Sequence, residues 1–98
     1  MKQIYFASPL FSNMELAYNA KVVSMIREAY PNVKVFLPQE ADEINDKNNY
    51  ADSKMIAKYD TKAVMNSDLL IAVLDGLTID PGVASEVGVA YAKGIPCI

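Results

Sequence analysis

The 98-residue chain has no histidine, no tryptophan and a single cysteine, Cys97. Without histidine, no Ser-His or Cys-His nucleophile pair can be assembled, and a zinc site has few ligands beyond carboxylates. One cysteine excludes an internal disulfide. Glycine is scarce, at four residues, and neither G-x-G-x-x-G nor G-x-x-x-x-G-K-[ST] occurs, which argues against dinucleotide and P-loop chemistry. No apolar run approaches the roughly 18 residues that a membrane helix needs, and Met1 leads into a strand-like segment rather than a signal peptide. A net charge of −3 leaves no basic footprint for nucleic acid. These absences predict a cytoplasmic protein without metal, cofactor, membrane or nucleic-acid partner, whose chemistry rests on carboxylates, tyrosines and hydroxyls.

What is present reads as one α/β domain over residues 1–98, with 52% hydrophobic and 21% charged residues. Gln3 to Ala7 is a β-rich segment ended by Ser8-Pro9. Ser12 and Glu15 have the spacing of a capping box, and Leu16, Ala20, Val23, Ile26 and Tyr30 then recur at helical spacing until Pro31. Val33 to Leu37 predicts a second strand, stopped by Pro38. Gln39 to Asn49 is polar and lacks an apolar period, so it reads as a surface loop or as a lid over the strand ends. A second helix is expected over about Tyr50 to Asn66, with Met55, Ile56, Tyr59, Ala63 and Met65 supplying apolar surface and Asp60 in its middle. Strands alternating with helices imply a parallel sheet with right-handed crossovers and helices on both faces.

The stretch from Ser67 to Ile98 concentrates the candidate chemistry. Leu69 to Leu74 is apolar without alternation, as in a strand buried on both faces. Asp80 is a plausible N-cap, Pro81 suits the first helical position, and Gly94 is placed to end the helix before Pro96. Ile95 to Ile98 looks like the opening of another strand, so the sheet is expected to continue past this segment. Open α/β sheets bind ligands beyond the carboxyl ends of their strands, and Asp75, Asp80 and Glu86 all fall in that zone. Glu86 interrupts an otherwise small and apolar helix, so its carboxylate is either solvated or lines a pocket. Carboxylates grouped around a pocket suit glycosidic-bond cleavage, with one acting as nucleophile or cation stabiliser and another as proton donor. An acidic binding rim has the same composition.

Three stretches in order, K-Q-I-Y-F-A-S-P-L-F-S-N-M-E, D-L-L-I-A-V-L-D-G and D-P-G-V-A-S-E-V-G-V-A-Y-A-K-G-I-P, resemble the nucleoside 2-deoxyribosyltransferases over essentially the whole chain. The resemblance implies a flavodoxin-like, Rossmann-like open parallel sheet, here without its C-terminal part. It also implies transfer of a 2-deoxyribosyl group between nucleobases through a covalent glycosyl-enzyme intermediate. Glu86 would be the nucleophile, Tyr5 would hold its carboxylate, and Asp80 would lie near base and sugar. Asp60 would contact the base, and Asp75, Gly82, Ala7 and Ser8 complete the implied substrate-binding set. The implied partners are nucleosides and free nucleobases. A homo-oligomer is expected, because family members complete the pocket with a residue from a neighbouring subunit. Two other functions fit the same residues: an N-glycosidase acting on nucleosides or nucleoside 5′-monophosphates, and a non-catalytic nucleotide-binding domain.

Overall fold

A computed structural model describes residues 3–40, 60–75 and 79–98. Its strands are β1 (Gln3–Ala7), β2 (Lys34–Phe36) and β3 (Leu69–Ala72), and its two complete helices are α1 (Asn13–Ala29) and α2 (Pro81–Lys93). Residues 60–65 are also helical and lead through a turn into β3. The sheet is parallel in the order β2-β1-β3, with Tyr5 opposite Phe36 on one side and Leu70 on the other. Cys97 bridges to Leu70 in parallel, and Ile98 N–H donates to Leu70 O at 2.9 Å, so the strand expected from Ile95 onward begins beside β3. This is the open parallel architecture anticipated from the strand-helix alternation, with β1 inside it.

Period-two alternation in β1 divides the core between the two faces. Ile4 and Phe6 join Val23, Val35 and Leu37 beneath α1, whereas Tyr5 and Ala7 join Ala63, Val64, Leu70, Val83 and Ala90 beneath α2 and the 60–65 segment. Helices therefore cover both faces. The α1 start is a complete capping box: Glu15 N–H donates to Ser12 Oγ at 3.2 Å, and Ser12 N–H donates to Glu15 Oε1 at 2.9 Å. Asp80 caps α2 through a 3.0 Å bond from Val83 N–H, with Pro81 at the first helical position, where its missing N–H costs nothing. Gly94 ends α2 at φ 79°, a left-handed conformation that a Cβ would penalise.

Several element readings are corrected. On α1, Val23 is buried as expected, but Ala20 and Tyr30 are exposed and Asn19 takes the other fully buried position, because it finds polar partners in the interior. Ala63 is buried as expected, but Met65 is exposed and Val64 is fully buried in its place. β2 is trimmed to Lys34–Phe36, since Val33 N–H turns back to Tyr30 O. Pro38 opens a helical turn over 38–40 rather than a loop, with Glu40 N–H bonded to Leu37 O. β3 stops at Ala72, and of its residues only Leu70 is fully buried. Residues 41–49 of the polar segment, the expected helix from Tyr50 to Tyr59 and residues 76–78 lie outside the described residues.

Candidate active site

The carboxyl end of β1 and the first turns of α2 meet at one edge of the sheet. Tyr5 is wholly buried on β1, its ring stacked on Phe36 with centroids 5.3 Å apart and planes 16° from parallel. That packing directs its hydroxyl toward α2, where it donates a hydrogen bond to Glu86 Oε2. Glu86 follows Val83 by three positions and precedes Ala90 by four, both residues being buried against the sheet. Helical geometry thus puts Glu86 on the edge of the packed face, and the side chain is half-buried. The choice between a solvated and a pocket-lining carboxylate is decided for the pocket.

A cavity of about 310 Å³ opens there, lined by Ser8, Leu10, Phe11, Pro38, Asp60, Asp80, Gly82, Val83 and Glu86. Ser8 and the residues after it come from the β1–α1 connection, Asp60 from the helical segment before β3, and Asp80 from the α2 cap. Three carboxylates, two from α2 and its cap and one from the 60–65 segment, face one volume, while among the described lining residues none is cationic. Gly82 keeps this corner open: a Cβ there would stand 3.1 Å from Asp80 Oδ2, the oxygen that accepts from Val83.

The electrostatics follow from this crowding. Burial pushes the Glu86 carboxyl up to about 7; the Tyr5 hydrogen bond opposes the shift, and the negative charges of Asp60 and Asp80 reinforce it. Burial, with the neighbouring Glu86 charge, drives the Tyr5 phenol well above its ordinary range. Tyr5 is therefore a permanent donor, and Glu86 is poised to exchange between acid and carboxylate near neutrality. A tunable carboxyl in a cavity with two further acids is an arrangement found at functional sites.

The candidate residues are distributed unevenly about this cavity. Glu86, Asp80, Asp60, Gly82 and Ser8 line it and Tyr5 reaches it through Glu86, whereas Ala7 is buried in the sheet below. Asp75 lines a neighbouring cavity of about 360 Å³ with Met14, Tyr18, Asn19 and Val73, and Ser8 stands between the two. Sequence reasoning missed Leu10, Phe11 and Pro38 as lining residues, and Asn19 behind them. The pairing of an apolar Leu-Phe step with the β1 terminus was a usable signal for the first two.

Residues 4–98 match the family model of nucleoside 2-deoxyribosyltransferase. The chain belongs to that family. A crystal structure of a conserved protein from Enterococcus faecalis V583 is 62% identical with a TM-score of 0.91, over 99% of this chain and 61% of that one. A 2-deoxyribosyltransferase from Bacillus psychrosaccharolyticus is 26% identical with a TM-score of 0.79, over 97% of this chain and 69% of that one. A 2-deoxyribosyltransferase from Leishmania mexicana shares the fold, with a TM-score of 0.76 at 24% identity, over 100% of this chain and 63% of that one. The chain thus spans 61% of the length of the Enterococcus relative. No curated protein sequence matches it. Among the described residues, no helix is long and apolar enough to cross a membrane.

Proposed function

We propose that this domain carries the catalytic groups of a nucleoside 2-deoxyribosyltransferase, with Glu86 as nucleophile. The observation that carries the reading is the hydrogen bond from the buried Tyr5 hydroxyl to a half-buried Glu86 carboxylate in a cavity shared with Asp60 and Asp80. As a carboxylate, Glu86 attacks the anomeric carbon of a bound deoxynucleoside. The C–N bond to the base breaks as the C–O bond forms, through a transition state with oxocarbenium character. The departing base takes a proton from one of the neighbouring acids, which becomes a carboxylate. A second base then attacks the same carbon, returning Glu86 to its free form and its own ring proton to the acid.

Tyr5 matters for the timing of charge. Its hydrogen bond favours the ionised form of Glu86 against the cost of burial, and it holds the carboxylate in one orientation. Asp60 and Asp80 act in the opposite sense, their negative charges raising the proton affinity of Glu86. The acidic lining supports a neutral nucleoside as substrate over a nucleoside 5′-monophosphate, since a phosphate would face carboxylates without a cation among the described lining residues. The functional form is proposed to be a homo-oligomer acting on nucleosides and nucleobases.

The test is incubation of the full-length protein with a deoxynucleoside, with and without a second free base, followed by product analysis. A transferase yields the exchanged nucleoside and turns over faster when the second base is present. Release of free deoxyribose at a rate indifferent to the second base would identify a hydrolase, and binding without turnover a sensing domain.

A further inference from the structure

Asn19 occupies a core position on α1, with 1% of its surface exposed, where the helical stripe calls for an apolar side chain. Burying an amide costs free energy unless it is hydrogen-bonded, and every polar atom of this side chain is engaged. Its Oδ1 accepts from Ser8 Oγ at 2.6 Å. Its Nδ2 donates to Pro9 O at 3.0 Å and to Gln39 Oε1 at 3.1 Å. Gln39 in turn donates from Nε2 to Leu16 O at 3.0 Å, one turn earlier on α1. A single amide therefore joins the segment leaving β1 to the segment leaving β2 and fastens both to α1.

Those two segments supply much of the non-acidic wall of the Glu86 cavity. Ser8, Leu10 and Phe11 come from the first, and Pro38, next to Gln39, from the second. Asn19 does not itself line that cavity; it lies behind the wall. The acids on the opposite side are carried by α2 and the 60–65 segment, and the Tyr5–Glu86 pair is held by β1 and α2. The molecule thus separates the groups that do chemistry from a wall whose placement depends on one buried amide.

We infer that Asn19 is a positioning residue that sets the substrate-facing wall formed by Ser8, Leu10, Phe11 and Pro38, and so governs substrate affinity rather than the chemical step. This inference rests on the cavity being the nucleoside site proposed above. Ser8 is the transmitting contact: its hydroxyl is fixed by Asn19, and the residue stands between the Glu86 cavity and its neighbour. An Asn19→Leu side chain keeps the branching and the number of heavy atoms and suits the helix stripe but satisfies none of the three partners.

The full-length protein is assayed as wild type, Asn19→Leu and Gln39→Ala, the last a milder change that removes one arm of the network should Asn19→Leu not fold. The expected result is a KM for the deoxynucleoside raised about tenfold or more in Asn19→Leu, which loses all three hydrogen bonds, and less in Gln39→Ala, which loses one of them, with kcat within about threefold, since one neutral hydrogen bond corresponds to up to about tenfold. A purely structural role would lower the active fraction, reducing kcat at unchanged KM, and that result overturns the inference. Amide hydrogen exchange in the absence of substrate reads the wall directly. Faster exchange at residues 10, 11 and 39 with unchanged protection in α2 supports positioning, and uniform loss across the chain refutes it. If the wild type turns over no nucleoside, the functional reading falls, while the exchange pattern still decides whether Asn19 sets the wall.

Discussion

The Tyr5 hydroxyl donates to the Glu86 carboxylate across 81 positions of sequence, joining the first strand to the last helix. The bond can exist only because β1 is the interior strand of the sheet and α2 packs on the face that Tyr5 shares with Ala7 and Leu70. The topology therefore produces the pairing, and the pairing opposes the upward shift that burial gives the Glu86 carboxyl.

The most direct consequence concerns the carboxylate itself. Glu86→Gln preserves size and shape but removes the negative charge that the proposed nucleophile needs. Turnover is expected to fall by a factor on the order of 10⁴ or more, while nucleoside binding persists. Covalent labelling by a 2-fluoro-2-deoxynucleoside analogue, followed by mass spectrometry, should mark the wild type and leave Glu86→Ala unmarked. Turnover near the wild-type level in Glu86→Gln would leave only the fold and a binding role.

Removing the donor tests the other half of the pair. Tyr5→Phe eliminates a hydrogen bond to a charged acceptor, worth roughly 1.5–3 kcal/mol, so kcat/KM should fall about 10- to 100-fold. Because that bond opposes the upward shift of Glu86, its loss also moves the acidic limb of the kcat/KM profile to higher pH from a wild-type position near 7. A limb that stays in place would mean that Tyr5 orients Glu86 without tuning it.

How much of this arrangement was legible in the sequence varies by element. Local signals were strong wherever the chain satisfies itself nearby: the Ser12–Glu15 capping box, the Asp80-Pro81 start and the Gly94 stop all use partners within a few residues. The sheet interior was legible because β1 is short, β-rich and buried on both faces. What period and propensity do not reveal is a polar side chain whose partners are distant. Ala20 belongs to the expected apolar stripe of α1 and Asn19 does not; only the fold brings Ser8, Pro9 and Gln39 close enough to bury Asn19 instead. Asp75 and Asp80, close in sequence, part into neighbouring cavities for a similar reason, one following β3 and the other capping α2.

Stability carries its own signature of the buried carboxyl. The folded protein holds the Glu86 proton more tightly than the unfolded chain does. The stabilisation from this group is thus fully present below the ordinary carboxylate range and is lost as the pH rises through about 7. Glu86→Gln has no such proton to lose. Thermal unfolding should show the two proteins converging at about pH 4, and the variant melting higher than wild type at about pH 8. A difference independent of pH would place the Glu86 titration outside this window.

Asp80 serves two purposes that can be separated by substitution. Its Oδ2 accepts from Val83 N–H and ends the α2 backbone correctly, while its charge raises the proton affinity of Glu86. Asp80→Asn keeps a capping oxygen and removes the charge. Its stability should stay within about 0.5 kcal/mol of wild type, since asparagine caps helices about as well as aspartate. The Glu86 titration should meanwhile move downward, carrying the acidic limb of kcat/KM to lower pH. Asp80→Ala removes both functions and should cost about 1 kcal/mol of unfolding free energy in addition. Gly82→Ala approaches the same oxygen from the other side, with a Cβ 3.1 Å away, so Asp80 must yield or α2 must shift. Because that oxygen is already bound to Val83, the expected outcome is a loss of stability resembling that of Asp80→Ala. Equal pH profiles for wild type and Asp80→Asn would show that the Asp80 charge is screened from Glu86, leaving burial alone to set the carboxyl.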